Sequence, residues 1–249
     1  MARITFLGTA SAVPNQTHQN SHFILETDRR VILVDCAGNP VVRLEQAGID
    51  PRTITDLILT HFHPDHISGA PLLLMDLWLM GRIDPLTVHG LDNVVKRFEK
   101  MMGLYEWHDW KGFYPVNFHG LPGDERSPVL KDESINVQSS VVCHMIPAIG
   151  LRFELPDFVI AYSTDTGPCE QVIRLAEGAD ILIHEASGSS NGHSSPAEAG
   201  EIAGLAGVKT LVLIHYPPET EITDLALEAG TTFSGDVIVA EDMMQLTIS

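Results

Sequence analysis

The stretch "TDLILTHFHPDHISG" (residues 55–69) constrains the chain more than any other. Its first half is a short apolar run, the pattern of a buried strand. Its second half places His61, His63, Asp65 and His66 within six positions. An irregular loop straight after a strand can turn several such donors toward one point. Imidazole and carboxylate together suit Zn²⁺, Mn²⁺ or Fe²⁺. A polar surface loop with chance histidines is the plainer alternative, and four donors directly after a buried strand speak against it. One cluster does not complete two metal shells, so further donors are sought at the ends of other strands.

The rest of the chain supplies those strands. "ARITFLG", "SHFILET" and "RVILVDC" read as three consecutive strands separated by polar turns. "PVVRLEQAGI" has helical spacing and stops at Gly48. A buried helix is expected over about 69–81, a strand at "PLTVHG", and a helix at "LDNVVKRFEKMMGLY" opened by Asp92. The second half repeats the style. Strands are expected at "INVQSSVVCH", "GLRFEL", "FVIAYST", "ILIHEA", "TLVLIHY", "VIVA" and "MQLTIS", and helices at "CEQVIRLAEGA", "SPAEAGEIAGLAG" and "TDLALEAG". Two such halves, about 1–125 and 126–249, predict a single α/β domain built as a four-layer αβ/βα sandwich rather than one doubly wound sheet.

Charge and cysteine content narrow the function classes. The formal net charge is −18, from 33 acidic and 15 basic side chains, and such a field repels polyphosphate chains at long range. It does not exclude a small anion held by metal ions, because the local charge there belongs to the metals. The three cysteines, at 36, 143 and 169, form no CxxC pair and no even-numbered framework, so a reduced, cytoplasmic protein is expected. "MARITFLGTASAVP" imitates a secretory signal, but its uninterrupted apolar run is only Ile4 to Leu7. No apolar run is long enough to span a membrane.

Three donors sit where strands should end: His144 after "SSVVC", Asp165 after "VIAYST" and His215 after "TLVLI". Each alone is more often structural than ligating; together they read as one convergent site. Here the chain resembles a known family. "THFHPDH" looks like the HxHxDH signature of the metallo-β-lactamase superfamily. "ITFLGTASAVP", "VILVDCAG", "AYSTDTGPCE", "ADILIHEAS", "GHSSPAEAGEIA" and "LVLIHY", in that order, look most like its ribonuclease Z and phosphodiesterase branch.

The resemblance implies two divalent metal ions, with Zn²⁺ favoured and Mn²⁺ or Fe²⁺ as alternatives. His61, His63 and His144 resemble the ligands of one ion, and Asp65, His66 and His215 those of the other. Asp165 resembles the carboxylate that bridges them. Two ions that share a hydroxide can stabilise both the attacking and the leaving oxygen of a hydrolysis. Asp65 and His193 are then the catalytic candidates; the branch has a histidine in a "GHST"-like motif that contacts the scissile phosphate or protonates the leaving oxygen. This chain has Ser195 where the family often has Thr. The histidine at 63 favours hydrolysis, because redox diiron members resemble HxExDH at that position.

Other residues have weaker claims. His184, Glu185 and Asp35 are either partners that orient ligands or ordinary structural groups. His18 and His22 could rim the pocket. His89, His108 and His119 have no claim beyond surface or loop positions. The segment 104–118, "LYEWHDWKGFYPVNF", holds two of the three tryptophans and either roofs the site or packs a long connection onto the core. Ser194 or Ser195 is expected to cap the helix after His193.

Several substrates fit the resemblance. Bacterial-type tRNA 3′-processing enzymes insert a tRNA-gripping arm between the positions matching His144 and Asp165. Here those residues are 21 positions apart, filled as two strands and a turn. Small phosphodiesters, of cyclic nucleotide or cyclic phosphate type, are therefore the expected substrates, with long nucleic acid disfavoured. A tRNA 3′-processing endoribonuclease and a lactonase or arylsulfatase-type esterase are the alternatives. Glyoxalase-like thioesterases add a C-terminal helical domain, and only 34 residues follow His215. A β-lactamase is disfavoured by the Asp-His pair and by Asp at the bridging position. A non-catalytic, metal-dependent ligand-binding protein is the reading outside enzymes. A homodimer is expected by analogy with relatives, and no membrane partner is expected.

Overall fold

The computed structural model describes residues 2–248. Its contacts divide into two compact units, one of residues 2–8, 21–122 and 243–248, the other of residues 9–20 and 123–242. The division is not a single cut near residue 125. The last strand belongs with the first unit, and residues 9–20 belong with the second.

The first unit is a seven-stranded mixed sheet in the order β14-β1-β2-β3-β4-β5-β6. Strands β1 (Ala2–Gly8), β2 (His22–Glu26) and β3 (Val31–Val34) run antiparallel, with β14 (Gln245–Ile248) on the outer side of β1. From β3 the sheet continues in parallel through β4 (Asp56–Ile58), β5 (Leu86–Leu91) and β6 (Val116–Leu121). Parallel strands need crossovers. Here these contain helices α1 (Pro40–Gln46), α2 (Pro64–Ile67), α3 (Ala70–Leu79) and α4 (Asp92–Leu104). All three residues of β4 are buried, as the apolar run before the histidine cluster requires.

The second unit has the order β13-β12-β11-β10-β9-β8-β7. Strands β7 (Ser127–Lys131), β8 (Asn136–Val141), β9 (Ile149–Glu154) and β10 (Val159–Tyr162) are antiparallel. Strands β11 (Ile181–Glu185), β12 (Thr210–Ile214) and β13 (Asp236–Val239) then run parallel to β10. Helices α5 (Glu170–Ala176), α6 (Pro196–Ala206) and α7 (Ile222–Ala229) follow β10, β11 and β12. Their small apolar faces, such as Ala199, Ala203 and Ala229, join Leu182, Leu211 and Leu213 in one core. Helix α6 starts at an N-capping Ser195 whose hydroxyl accepts from the Glu198 amide, while Glu198 returns a bond to the Ser195 amide.

Between His144 and Asp165 the chain makes the β9–β10 hairpin, closed where the Leu155 amide donates to the Phe158 carbonyl at 2.9 Å. Arg152 on β9 ties it down: one guanidinium nitrogen donates to the carbonyls of Leu175 and Glu177 at the end of α5.

Three sequence expectations differ from the structure. The donor cluster is not wholly irregular, because Asp65 and His66 ride on the one-turn helix α2, with Pro64 in its first turn. His89 is neither at the surface nor in a loop: it is buried on β5, holds Asp56 at 2.9 Å and pairs with the exposed His119 on β6. His22 is buried at the start of β2, 1% exposed, and does not line a rim.

Candidate metal and catalytic site

In the first unit the donors follow two neighbouring parallel strands, β3 and β4. This is the edge where α/β folds place their sites, since the strand ends open onto a crevice there. Asp35, just after β3, is fully buried and organises the cluster. One carboxylate oxygen accepts from the Thr60 amide at 2.8 Å. The other accepts from the Thr60 hydroxyl at 2.9 Å and from His66 Nδ1 at 2.7 Å. Burial pushes the Asp35 carboxyl above its ordinary range, and the His66 and Thr60 contacts partly offset that. With Nδ1 on Asp35, Nε2 is the His66 nitrogen that could ligate a metal, as in the carboxylate–histidine arrangement of metal sites. Asp35 is in the position of an orienting partner, one of the two roles the sequence left open.

In the second unit the donors again follow strand ends. His144 comes after β8, Asp165 after β10, Glu185 ends β11 and His215 follows β12. His144 Nδ1 donates to the Gly192 carbonyl at 2.8 Å, which directs Nε2 away from that loop. Gly192 has φ +80°, and a Cβ there would meet His144 Nδ1 at 3.0 Å, so only glycine lets this carbonyl approach. Glu185 is fully buried and satisfied. Its Oε1 accepts from the Thr166 and Ser194 amides and holds His193 Nδ1 at 2.9 Å; its Oε2 accepts from Ser187. The His193 ring stacks on His215 at 5.8 Å and meets His144 edge-on at 5.0 Å. His193 therefore stands beside His144 and His215, the second unit's candidate ligand histidines, with its Nδ1 held by Glu185. His184 faces differently: its Nδ1 bonds the Glu185 carbonyl, and burial lowers its pKa and holds it neutral, a structural role.

Backbone strain collects at the same places. Asp35, Thr164 and His215 have φ of +58°, +55° and +54°, rare for residues with a Cβ and costliest for β-branched Thr164. Each such residue costs roughly 1–3 kcal/mol, and such strain clusters where a side chain must be aimed. Here it turns the chain as it leaves β3, β10 and β12.

Donor spacing fits metal ligation. His61 Nε2 and His63 Nδ1 are 3.1 Å apart, Asp65 Oδ2 and His66 Nε2 3.6 Å, Asp165 Oδ2 and His215 Nε2 3.5 Å. Ligands bonded at roughly 2.0–2.1 Å to one Zn²⁺-like ion are roughly 3–3.5 Å from each other. Within the second unit, Glu185, His193 and His215 offer donor atoms that lie within 4.8 Å of one another and could hold an ion. Asp35 gives a direct check. An Asp35→Ala variant should bind metal 10–100-fold more weakly, roughly the loss typical of a missing orienting partner. Titration against a chromogenic chelator reads this; unchanged affinity would remove Asp35 from the site.

The remaining residues are placed as follows. His18 bonds Thr17 and packs edge-on against Tyr216, next in the chain to His215. His108 is exposed against Trp107. In the aromatic segment Trp107 and Tyr114 are buried, whereas Tyr105 is exposed. No helix among the described residues is long and apolar enough to cross a membrane, and the three cysteines are free thiols.

Comparison with known proteins agrees with this geometry. The family model of the beta-lactamase superfamily domain matches residues 30–216, which include every candidate ligand and His193. The chain is 29% identical to Ribonuclease Z of Methanothermobacter thermautotrophicus, covering 100% of this chain and 97% of that one. Among solved structures, the human short-form tRNase Z is 25% identical with a TM-score of 0.82, covering 99% of both chains. The metallo-beta-lactamase fold protein YhfI from Bacillus subtilis, 24% identical and 98% covered both ways, has a TM-score of 0.85 and shares the fold. Divalent metal ions are what this family implies. The names of the relatives bear against the expectation that long nucleic acid is disfavoured. With the family model covering most of its length and its two mixed sheets flanked by helices, the chain belongs to the beta-lactamase superfamily, has the metallo-β-lactamase αβ/βα sandwich fold, and is a metal-dependent hydrolase.

Proposed function

We propose that the protein is a dinuclear phosphodiesterase of the cytoplasm that cleaves small phosphodiesters, of cyclic nucleotide or cyclic phosphate type. His61, His63 and His144 would hold one divalent ion, Asp65, His66 and His215 the other, and Asp165 both, with Zn²⁺ the favoured metal. When bound, the two ions supply a water acidified to near neutral pH and positive charge for the attacking and leaving oxygens. The protein's own groups do the rest. Asp35 fixes the His66 ring, and the Gly192 carbonyl fixes His144. Asp65 would both ligate and accept a proton from the water that the ions acidify. The buried Glu185 keeps a proton on His193 Nδ1, so Nε2 can contact the phosphate or deliver a proton to the leaving oxygen.

The observation that carries the choice of a small substrate is the β9–β10 hairpin between His144 and Asp165, where arm-bearing tRNA-processing enzymes have their insertion. The net charge of −18 adds to this, because tRNA affinity rests largely on Lys and Arg contacts with phosphates.

A second reading, tRNA 3′-processing, is favoured by the relatives' names over nearly their full length. One panel separates the two: cyclic nucleotides, bis(p-nitrophenyl) phosphate, precursor tRNA, lactones and aryl sulfates, assayed with metal-loaded protein. Small diesters should be cleaved with kcat/KM at least tenfold above precursor tRNA. The reverse order would replace this proposal with the tRNA-processing one, and turnover of lactones or sulfates alone would replace it with an esterase.

A further inference from the structure

Helix α3 raises a problem that the metal site does not answer. Apart from Asp76 its side chains are apolar. Leu73, Leu74 and Leu77 are fully buried, yet Pro71, Leu72 and Met75, on another side at i, i+1 and i+4, are only half-buried. A helix this apolar is ordinarily enclosed. Here the half-buried side opens into a pocket of about 190 Å³, lined by Ser68, Pro71, Leu72, Met75, Tyr105 and Trp110. No lining residue is charged, in a chain with a net charge of −18. An apolar cavity of roughly 150 Å³ is enough to admit a benzene ring.

Two features suit a flat ligand. Trp110 is held rigidly, stacked on Trp78 at 5.2 Å and 12°, and edge-on to Phe113 at 5.4 Å. Tyr105, the exposed C-cap of α4, also lines the pocket. The pocket and the donor cluster share helix α2: Ser68, which lines the pocket, is the C-cap of the helix that carries Asp65 and His66.

We infer that this pocket is a specificity subsite that receives the planar aromatic group of the substrate, an aryl ring or a nucleobase, while the phosphate lies at the His66 side. The inference rests on the phosphodiesterase reading for the phosphate, and the pocket can be tested without turnover. Paired ligands that differ only in the ring are titrated calorimetrically into the metal-loaded protein: phenylphosphonate against methylphosphonate, and uridine 5′-phosphate against ribose 5-phosphate. The ring-bearing member of at least one pair should bind tenfold or more tightly. In Leu72→Glu, which puts a charge into the pocket, and in Trp110→Ala, that preference should fall to within twofold while methylphosphonate binding stays unchanged. Discrimination within the nucleotide pair marks a nucleobase, and discrimination within the phenyl pair alone marks a smaller aryl group. Equal binding within both pairs by the wild-type protein, or a preference that survives in both variants, overturns the inference. Ring discrimination without hydrolysis of any diester would keep the pocket and remove the phosphodiesterase reading; hydrolysis without discrimination would do the opposite.

Discussion

An Asp165→Ala variant is expected to lose metal and activity together. Asp165 is 2% exposed, follows a left-handed Thr164, and faces His215 Nε2 at 3.5 Å. As the proposed bridging carboxylate it would contribute negative charge to two cations at once. Metal ions supply several kcal/mol of charge stabilisation to a hydrolytic transition state, so their loss should lower kcat by about 1000-fold or more. Metal analysis should fall from two ions per chain to one or fewer. An Asp165→Asn variant, which keeps the shape and removes the charge, guards against a mere folding defect and should behave the same way. Two retained metals with wild-type rates would make the ligand assignment wrong.

His193→Ala should separate what Asp165→Ala joins. His193 touches the ligand histidines but takes its orientation from Glu185, so both metals should stay. kcat should fall by about 10²–10⁴-fold, the range for a lost general acid or base. The fall should depend on the leaving group. p-Nitrophenolate departs without a proton, whereas an alkoxide needs one, so alkyl diesters should suffer more than p-nitrophenyl diesters. Glu185→Gln should follow the same trend more weakly. An unchanged kcat on alkyl substrates would end the role given to His193.

What the sequence made legible was whatever is local in the chain. The donor cluster stands in six consecutive positions, and the strands before His61, Asp165 and His215 are short apolar runs. The Ser195 cap and the β9–β10 hairpin were visible for the same reason. Strands β6 and β7 were not. β6 is an edge strand with mostly exposed or half-buried residues, and β7 carries Pro128 and a register shift, so neither has a clean alternation. The left-handed backbone at Asp35, Thr164 and His215 was hidden too, because no glycine or asparagine advertises it. The partnerships Asp35–His66 and Glu185–His193 join residues 31 and 8 positions apart. Only the sheet order brings the first together, and only the turn after β11 the second. Of the aromatic segment, Trp107 and Tyr114 pack inward, one of the two roles considered for it, while Tyr105 and Trp110 line the pocket beside α3.

The central claim is that seven side chains hold two ions and that those ions serve hydrolysis. It is tested most directly by counting metal and measuring turnover of bis(p-nitrophenyl) phosphate on the same sample, before and after chelation. Two ions per chain, turnover abolished by chelator and restored by Zn²⁺ or Mn²⁺, is the predicted result. Turnover that survives complete removal of metal, or two bound ions with no hydrolysis of any ester, would contradict it.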